Sequence, residues 1–287
     1  MTVILFSIAA VVTVMILQAM LIAPRDLRKT VVDVPLRGLA LPFDGYTLAV
    51  LADVHHWGPG ARYLSRIVRM SNDANPDLVV LLGDYGISFE HNKRLSAIAY
   101  RSAIPALTRA FRELRARDGC VAVLGNHDYY YDWQRVAGWL RSLNIRVLIN
   151  DHLTLRRDGA SLVIGGVGDA IEDRVDALGG VGEQAPGAAI VVLCHNPDGV
   201  RSLEPGAGIG LVLSGHTHGG QVIIPGYGAL TTHTRICTRR TASGWIPNDR
   251  APLYVSRGVG VQLPIRFRCP PELLIVRLRV VPDQQPA

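Results

Sequence analysis

Five short apolar runs in this chain each lead into a side chain that can bind a metal ion. The runs cover residues 48–52, 78–82, 121–124, 190–193 and 211–213. Short apolar runs bounded by turn residues are typical of buried strands. In open α/β sheets, ligands bind beyond the carboxyl ends of the strands. Because all five runs lead to Asp, His or Asn, they predict one metal site that converges at the strand ends.

The candidate ligands are two carboxylates, one amide and four imidazoles: Asp53, His55, Asp84, Asn126, His195, His216 and His218. Divalent metals bind such oxygen and nitrogen ligands. Two metals ~3.5–4 Å apart can clamp a phosphate, and such a pair needs a carboxylate that bridges them. The spacing Asp53/His55 and His216/His218 predicts that each pair lies on one side of an extended segment, with Cα atoms ~6.5 Å apart.

Other interpretations of these residues do not involve a metal. Aspartates often occupy turns and helix caps, and Asn126 suits a left-handed turn position. Histidines outside the motifs, His91, His152 and His233, are expected to be solvated or merely packed. His56 would face away from the metals on a strand but reach substrate on a loop, and we expect it to be structural.

The order of the motifs resembles the calcineurin-like metallophosphoesterase family. The motifs are Asp53-Val54-His55, Gly83-Asp84, Gly125-Asn126-His127-Asp128-Tyr129-Tyr130, His195-Asn196-Pro197-Asp198 and Ser214-Gly215-His216-Thr217-His218-Gly219-Gly220-Gln221. With Leu253-Tyr254-Val255-Ser256-Arg257-Gly258, the longer ones look like the membrane-associated bacterial branch. That branch includes phosphodiesterases and a UDP-2,3-diacylglucosamine pyrophosphatase of lipid A synthesis. The resemblance implies an α/β/β/α sandwich of two packed mixed sheets with helices on both outer faces.

The resemblance also implies a role for each candidate residue. One ion would be bound by Asp53, His55 and His218, and the other by Asn126, His195 and His216. Asp84 would bridge the two ions, which are Mn²⁺, Fe or Zn²⁺ by ligand type. His127 would donate a proton to the leaving oxygen, and Asp128 would orient the His127 ring. Many relatives carry Gly-Asp-x-x-Asp, but Ile87 stands at the second Asp here, so support around Asp84 must come from elsewhere.

Three arginines near the C-terminus, Arg257, Arg266 and Arg268, flank the apolar run 259–265. Such a cluster is usually a solvated face, but it also suits a substrate phosphate or a lipid headgroup. The net charge of +6 does not by itself indicate a nucleic-acid partner, because no basic stripe interleaved with aromatic residues is present. Cys237 and Cys269 could pair in an oxidising compartment, and the sequence leaves this open.

The first 24 residues contain no charged side chain, and the apolar stretch 3–23 reaches the ~20 residues of one membrane crossing. A cleaved signal peptide is the alternative, but it usually has a positive start and a shorter apolar stretch. We therefore expect a transmembrane anchor over 1–24, a juxtamembrane segment over 25–44 and a catalytic domain over 45–287. Arg25, Arg28 and Lys29 follow the apolar stretch, which places the domain on the cytoplasmic side of the inner membrane.

These features together predict a membrane-anchored hydrolase that uses two metals to cleave a phosphoester or phosphoanhydride. The anchor favours a lipid-linked substrate, and the resemblance suggests UDP-2,3-diacylglucosamine. A phosphodiesterase that acts on soluble or cyclic nucleotides is the enzymatic alternative. A non-catalytic metal-binding scaffold is the alternative from another class. All seven ligands and His127 are present, which argues against a scaffold.

Overall fold

Two six-stranded sheets form the centre of the computed structural model, which describes residues 2–56, 60–172, 176 and 188–281. In chain order the strands are Arg28–Leu36 (β1), Thr47–Leu51 (β2), Leu78–Leu82 (β3), Cys120–Val123 (β4), Ile145–Val147 (β5), Asp151–Arg157 (β6), Ala160–Gly166 (β7), Ala189–Leu193 (β8), Leu211–Ser214 (β9), Ile223–Ile224 (β10), Gly228–Ala229 (β11), Gly244–Ile246 (β12), Leu253–Val255 (β13) and Glu272–Val280 (β14). The first sheet has the order β1-β14-β2-β3-β4-β5, and the second has the order β12-β13-β9-β8-β7-β6.

Both sheets are mixed, as expected. Strands β2 to β5 run parallel, and β14 pairs antiparallel with β2 and parallel with β1. In the second sheet β7, β8, β9 and β13 run parallel, whereas the edge strands β6 and β12 are antiparallel to their neighbours. Because parallel strands end at the same edge, each sheet presents a row of carboxyl ends, and the candidate ligands follow these ends.

The main core lies between the sheets. Side chains alternate along each strand, so Leu48 and Val50 of β2 enter this core while Ala49 and Leu51 face the helices. The second sheet contributes residues such as Leu162 of β7, which is fully buried. Both faces of the central strands are therefore apolar, which explains the continuous apolar runs of the sequence.

The α-helices are Thr2–Leu17 (α1), Ala61–Asn72 (α2), Lys93–Phe111 (α3), Asn126–Tyr131 (α4) and Trp133–Arg141 (α5). Helices α2, α3 and α5 cover the outer face of the first sheet. The described part of the second sheet's outer face carries no α-helix. It is covered by the short 3₁₀ segment Pro197–Ser202 and by loops. The expectation of helices on both outer faces is therefore met on one face only.

Some element boundaries differ from the sequence prediction. The apolar periodicity of residues 131–143 predicts one helix, and the structure has α5 there over Trp133–Arg141. It is separated from α4 because Asp132 adopts an extended conformation (φ −175°) and its side chain caps α5 by accepting from the Arg135 amide at 3.1 Å. The helix predicted over 94–117 ends at Phe111. The loop predicted over 179–189 lies largely outside the described residues.

The predicted anchor, residues 1–24, contains α1 and the five-residue π-helical segment Gln18–Ile22. Among the residues that the structure describes, no helix has the length and apolar character needed to cross a membrane. Exposed apolar side chains nevertheless line α1, including Phe6, which is 73% exposed. The segment after α1 packs on the domain, since the Arg266 amide donates to the Ala19 carbonyl at 2.9 Å. Strand β1 lies within the predicted juxtamembrane segment, so the sheet begins before residue 45.

Truncating one side chain between the sheets should destabilise the whole domain. Leu162→Ala removes a fully buried side chain from the main core and should lower the free energy of unfolding by ~2–5 kcal/mol. The matched control is Arg156→Ala on the neighbouring strand β6, where the side chain is exposed and the expected change is below ~0.5 kcal/mol. Denaturant unfolding measures both. Similar losses for the two variants would contradict the assigned core.

Candidate metal centre

The structure brings all seven candidate ligands together at the carboxyl ends of five strands. Asp53 and His55 follow β2, Asp84 follows β3, and Asn126 follows β4 and opens α4. From the second sheet, His195 follows β8, and His216 and His218 follow β9. Every one of these residues is buried, with at most 8% of its surface exposed. The cluster therefore lies where the two sheets meet and draws ligands from both.

Left-handed backbone turns, and not extended segments, aim most of the ligands. Positive φ angles occur at Asp53 (54°), His55 (39°), Asp84 (57°), His216 (69°) and His218 (52°). The prediction that the Asp53/His55 and His216/His218 pairs lie along extended segments was therefore wrong. Left-handed conformations are costly for residues other than glycine and concentrate at functional sites. Their presence at five of the ligands indicates a site that the surrounding structure holds against local preference.

Asp84 lies between the two groups of ligands. One carboxylate oxygen, Oδ2, is 3.4 Å from His55 Nε2 and 3.2 Å from His195 Nε2. The other oxygen, Oδ1, accepts a hydrogen bond from the backbone amide of His127 at 2.9 Å. This is the position that the bridging role requires.

The remaining ligand atoms face one another in close pairs. His55 Nε2 and His218 Nε2 are 3.1 Å apart, and His218 Nε2 is 3.8 Å from Asp53 Oδ1. On the other side, His216 Nδ1 is 3.0 Å from the side-chain oxygen of Asn126. The backbone amide of His216 donates to both carboxylate oxygens of Asp53, at 2.9 and 3.1 Å. That contact ties the two groups of ligands together.

Backbone carbonyls fix the tautomers of three histidines. His195 Nδ1 is 2.6 Å from the Leu82 carbonyl, His55 Nδ1 is 3.3 Å from the Gly86 carbonyl, and His216 Nε2 is 3.2 Å from the carbonyl of His233. A carbonyl only accepts, so in each ring the nitrogen that faces it carries the proton. In His55 and His216, whose rings stay neutral, the other nitrogen then presents a lone pair to His218 Nε2 and to the side-chain oxygen of Asn126, respectively. Facing lone pairs repel unless a cation lies between them, so the cluster fits divalent ions.

The electrostatics of the cluster also favour bound cations. Burial lowers the pKa of His55 and of His216 to about 3 and the pKa of His218 well below its usual value, which keeps these rings neutral. Burial opposes ionisation of Asp84, but the charges of His195 and His127 hold the pKa of Asp84 well below its usual value. Burial likewise opposes a charge on His195, yet Asp84 raises its pKa well above normal. The field at Asp84 therefore attracts positive charge.

His127 lies at the edge of the cluster. Its ring stands edge-on to His55, with centroids 4.8 Å apart, and one of its nitrogens lies within 4.8 Å of ligand atoms of His55 and Asp84. His127 Nδ1 is 2.9 Å from the Ser88 carbonyl. The prediction that Asp128 orients this ring was therefore wrong, because Ser88 does so.

Asp128 instead supports the loop that carries Asp84. Its Oδ2 accepts from the amides of Asp84 at 2.9 Å and Gly125 at 2.8 Å. Its Oδ1 accepts from the Tyr85 amide at 3.2 Å and from the Tyr100 hydroxyl. These contacts provide the support that Ile87 cannot supply, and they lock the ends of β3 and β4 together.

Two glycines of the motifs are required by close approach. A Cβ atom on Gly125 would lie 2.7 Å from Cε1 of His195 and would also meet the carboxylate of Asp84. A Cβ atom on Gly215 would lie 2.6 Å from a carboxylate oxygen of Asp53. The backbone thus forms part of the wall of the cluster at both positions.

Arg266 is buried, whereas the sequence allowed either a solvated cation or a phosphate contact at this position. Its guanidinium donates to the carbonyls of His218 (3.2 Å), Cys269 (3.1 Å), Arg257 (2.7 Å), Gly258 (3.5 Å) and Gly260 (2.7 Å). All five acceptors belong to the segments around the cluster. Arg266 therefore holds these segments in place.

The other two arginines of the predicted group also lie outside the cluster of ligands. Arg257 pairs with Glu272 at 3.0 Å and donates to Thr30 at 3.3 Å, while Arg268 is exposed. Cys237 and Cys269 are both free thiols, so the structure does not pair them.

Sequence reasoning missed two residues near the cluster. Asp169 is fully buried just beyond β7, and burial raises its pKa to about 6 although the charge of His195 opposes the shift. Its position after an apolar strand and Gly168 is the same signal that identified the ligands, so it could have been found. Ser88 could not, because no motif marks it and its contacts with His127, 39 residues away in sequence, arise only in the folded chain: its carbonyl is 2.9 Å from Nδ1 and its hydroxyl donates to the His127 carbonyl at 2.6 Å.

Comparisons with known proteins agree with this geometry. The family described as calcineurin-like phosphoesterase matches residues 46–220. A transmembrane protein with metallophosphoesterase domain from Danio rerio is 31% identical over 269 residues, which cover 86% of this chain and 56% of that protein. A metallophosphoesterase from Bacillus subtilis is 28% identical over 250 residues, 83% of this chain and 80% of that protein. A UDP-2,3-diacylglucosamine pyrophosphatase from Chlamydia trachomatis is 26% identical over 287 residues, 81% of this chain and 83% of that protein. The chain spans just over half of the Danio rerio relative.

Removing the charge of Asp84 should empty more than one metal site. Asp84→Asn keeps the shape and tolerates the left-handed backbone, but it removes the anion that faces both His55 and His195. We expect elemental analysis to find about two ions per wild-type chain, by the two-metal arrangement, and a loss of more than one equivalent in the variant. The control, Asp73→Asn, changes an exposed aspartate after α2 and should keep both ions. Loss of a single equivalent from Asp84→Asn would rule out a bridge.

Proposed function

The chain belongs to the calcineurin-like phosphoesterase family, whose members hydrolyse phosphoester bonds with two divalent metal ions, and we propose that it acts on a lipid-linked phosphate at a membrane surface. The observation that carries the hydrolytic part is the place of Asp84, whose Oδ2 lies within 3.4 Å of histidines from both sheets. Among the described residues, Asp84 is the carboxylate that belongs both to a group with His55 and His127 and to a group with His195 and His216.

We assign Asp53, His55 and His218 to one ion and Asn126, His195 and His216 to the other, with Asp84 shared. The close pairs of ligand atoms support this division, since His218 contacts both His55 and Asp53, and His216 contacts Asn126. When bound, the ions supply a water nucleophile near neutral pH and positive charge for the phosphate oxygens.

The protein itself supplies proton transfer and orientation. As the bond between phosphorus and the leaving oxygen breaks, His127 donates a proton to that oxygen from its free nitrogen, Nε2. The Ser88 carbonyl accepts from Nδ1 at 2.9 Å, so it fixes the orientation of the ring and leaves Nε2 for the substrate. Asp128 fixes the positions of His127 and Asp84 relative to each other, because it accepts hydrogen bonds from the amides of Asp84 and Gly125. The backbone amide of His127 in turn contacts Asp84.

Attachment to a membrane is supported by the N-terminal segment. The side chains of Ile4, Phe6 and Val14 on α1 are 62–73% exposed, and an apolar helix face of this kind is unfavourable in water. Arg25, Arg28 and Lys29 follow at the point where the chain enters the domain, which favours the cytoplasmic side. The Danio rerio relative carries the word transmembrane in its name, and the Chlamydia trachomatis relative is named for a lipid substrate. UDP-2,3-diacylglucosamine is accordingly the first substrate to test.

Replacing His127 should remove activity and leave the metals in place. His127→Ala should lower kcat by ~10²–10⁴-fold on substrates with poor leaving groups, because general acids contribute that much. The loss should shrink for nitrophenyl esters, whose leaving group needs little protonation. His91→Ala, at a side chain that is 90% exposed, is the control and should be unchanged. Loss of metal from the His127 variant would identify His127 as a ligand.

Deleting α1 should separate membrane attachment from catalysis. Removing residues 2–17 leaves Ala19 and Pro24, which are buried against the domain, in place. The shortened protein should no longer sediment with vesicles but should still hydrolyse a soluble nitrophenyl phosphodiester. Its activity on a vesicle-borne lipid phosphate should fall further, since co-localisation is lost. A full-length control with Ile4, Phe6 and Val14 changed to Ser tests whether apolar surface is the cause. Equal activity on both substrates before and after deletion would favour a soluble phosphodiester as the substrate.

A further inference from the structure

A largely apolar cleft of about 900 Å³ lies beside the metal centre. Three parts of the chain form its walls: the segment after α1, with Met20; the start of α2, with Tyr63; and the loop after β13, with Val261. The size is that of a site for a small-molecule ligand or a lipid chain. The mechanism above leaves this cleft without a role.

The cleft is continuous with the metal centre. His55, a ligand in the centre, also lines the cleft, together with the adjacent Val54 and His56. The side chain of His56 is buried, with 6% of the residue exposed, and its Nε2 has no hydrogen-bond partner among the described residues. A molecule whose phosphate lies at the metals can therefore extend directly into the cleft.

The segment after α1, with Met20, Pro24 and Arg25, forms one wall of the cleft. Arg66 of α2 donates to the carbonyls of Arg25 (2.9 Å) and Leu27 (3.2 Å), and the Arg266 amide donates to Ala19. These bonds fix the segment after α1 against the domain. The cleft consequently opens beside the point where α1 leaves the domain, on the side where a bilayer would meet the protein.

The charges at the cleft also suit a lipid phosphate. Arg25, Arg62 and Arg66 line it, and no Asp or Glu stands among its described lining residues. Arginine pairs well with phosphate, whereas the apolar wall offers nothing to a charged or strongly hydrated group. Cations at the rim and apolar side chains inside match a phosphate joined to a hydrocarbon chain.

A second cleft, of about 930 Å³, lies beside the other group of ligands and has the opposite character. It is lined by Asn196, next to His195, by Arg201, and by the Thr231–Arg235 stretch. Within this stretch the His233 carbonyl contacts the His216 ring at 3.2 Å. Hydroxyl, amide and guanidinium groups predominate there. The metal centre thus has an apolar cleft on the side of His55 and a polar cleft on the side of His216.

We propose that the apolar cleft binds the acyl chain of the substrate, so that the cleaved phosphate lies at the metals between an acyl tail and a polar head group in the second cleft. The proposal rests on the proposed function and adds which surface recognises the lipid. It restricts the substrate class to phosphates that carry a hydrocarbon chain on one side and a hydrogen-bonding group, such as a sugar or nucleoside, on the other.

The test measures how kcat/KM depends on chain length for nitrophenyl alkyl phosphodiesters, with the full chain in micelles of constant composition. In the wild type, kcat/KM should rise by up to about fourfold for each methylene that is buried. Val261→Glu and, separately, Met20→Glu put a charge on the cleft wall and should remove most of this rise, measured within each variant as the ratio of kcat/KM between the long-chain ester and the methyl ester. Leu263→Glu is the matched control, because Leu263 lies in the same loop, is 64% exposed and does not line the cleft.

A second measurement does not depend on activity. An alkyl phosphate with a photoreactive group at the chain end is crosslinked to the full-length protein after metal removal, and the labelled peptides are identified by mass spectrometry. Label on the described lining residues, which lie within 20–25, 54–56, 60–66, 260–261 and at 264, supports the proposal. Label confined to α1 or to residues 231–235 would overturn it.

The activity results distinguish failure of the acyl-binding cleft from failure of the proposed hydrolase function. Hydrolysis by the wild type with the same chain-length dependence in Val261→Glu, Met20→Glu and Leu263→Glu would overturn the acyl cleft and keep the hydrolase. Absence of hydrolysis of every ester by metal-loaded wild type would overturn the proposed function, and the acyl cleft with it.

Discussion

The metal centre depends on a buried negative charge at Asp84. A buried carboxylate costs several kcal/mol unless charges or hydrogen bonds compensate it. Here the compensation comes from His55, His195 and the His127 amide, which belong to different strand ends of both sheets. The apolar core holds the sheets together, and the charge draws polar groups from the strand ends of both sheets to one point. A divalent pair satisfies the same anion more fully, because it also separates the lone pairs that otherwise face one another.

The loops around the centre are held against local preference by residues that contact the ligands but do not bind the metals. Asp128 receives four hydrogen bonds, three of them from backbone amides around β3 and β4. Arg266 gives hydrogen bonds to five carbonyls on the opposite side. Left-handed conformations cost of order 1–3 kcal/mol each and persist only when the surroundings over-determine them. The buried carboxylate of Asp128 on one side and the buried guanidinium of Arg266 on the other provide that constraint. The metal-binding side chains are therefore held rigidly by residues that do not themselves bind a metal.

The N-terminal segment links the proposed membrane-binding surface to the metal centre. It is both an exposed apolar helix and, through Ala19 and Pro24, a buried part of the domain. Because the same segment forms a wall of the cleft that reaches His55, the surface that would contact a bilayer is continuous with the centre. A substrate could move from lipid to metal along one apolar path without crossing water, which is the arrangement that a lipid-linked phosphate requires.

The sequence by itself determined where the central strands lie and the chemical nature of the centre. Apolar runs and the residues that follow them are local patterns, and all seven predicted ligands lie together in the structure. Helix α2, with Leu64, Ile67 and Val68 inward, followed equally from local periodicity. Asp169 carried the same strand-end signal.

Only the tertiary structure decided how the polar groups around the centre are shared. Asp128 has several possible partners, and contacts with Tyr85 and Tyr100, far away in sequence, take it from the adjacent His127. Arg266 resembles a surface cation in the sequence, but its burial is compensated by five carbonyls, which lie at His218, in the stretch 257–260 and at Cys269. A local sequence pattern allows several roles for such a residue. Burial and hydrogen bonds to residues far away in sequence determine which role it has. The metal-binding residues can therefore be predicted from the sequence, whereas the residues that hold them in place can be identified only from the fold.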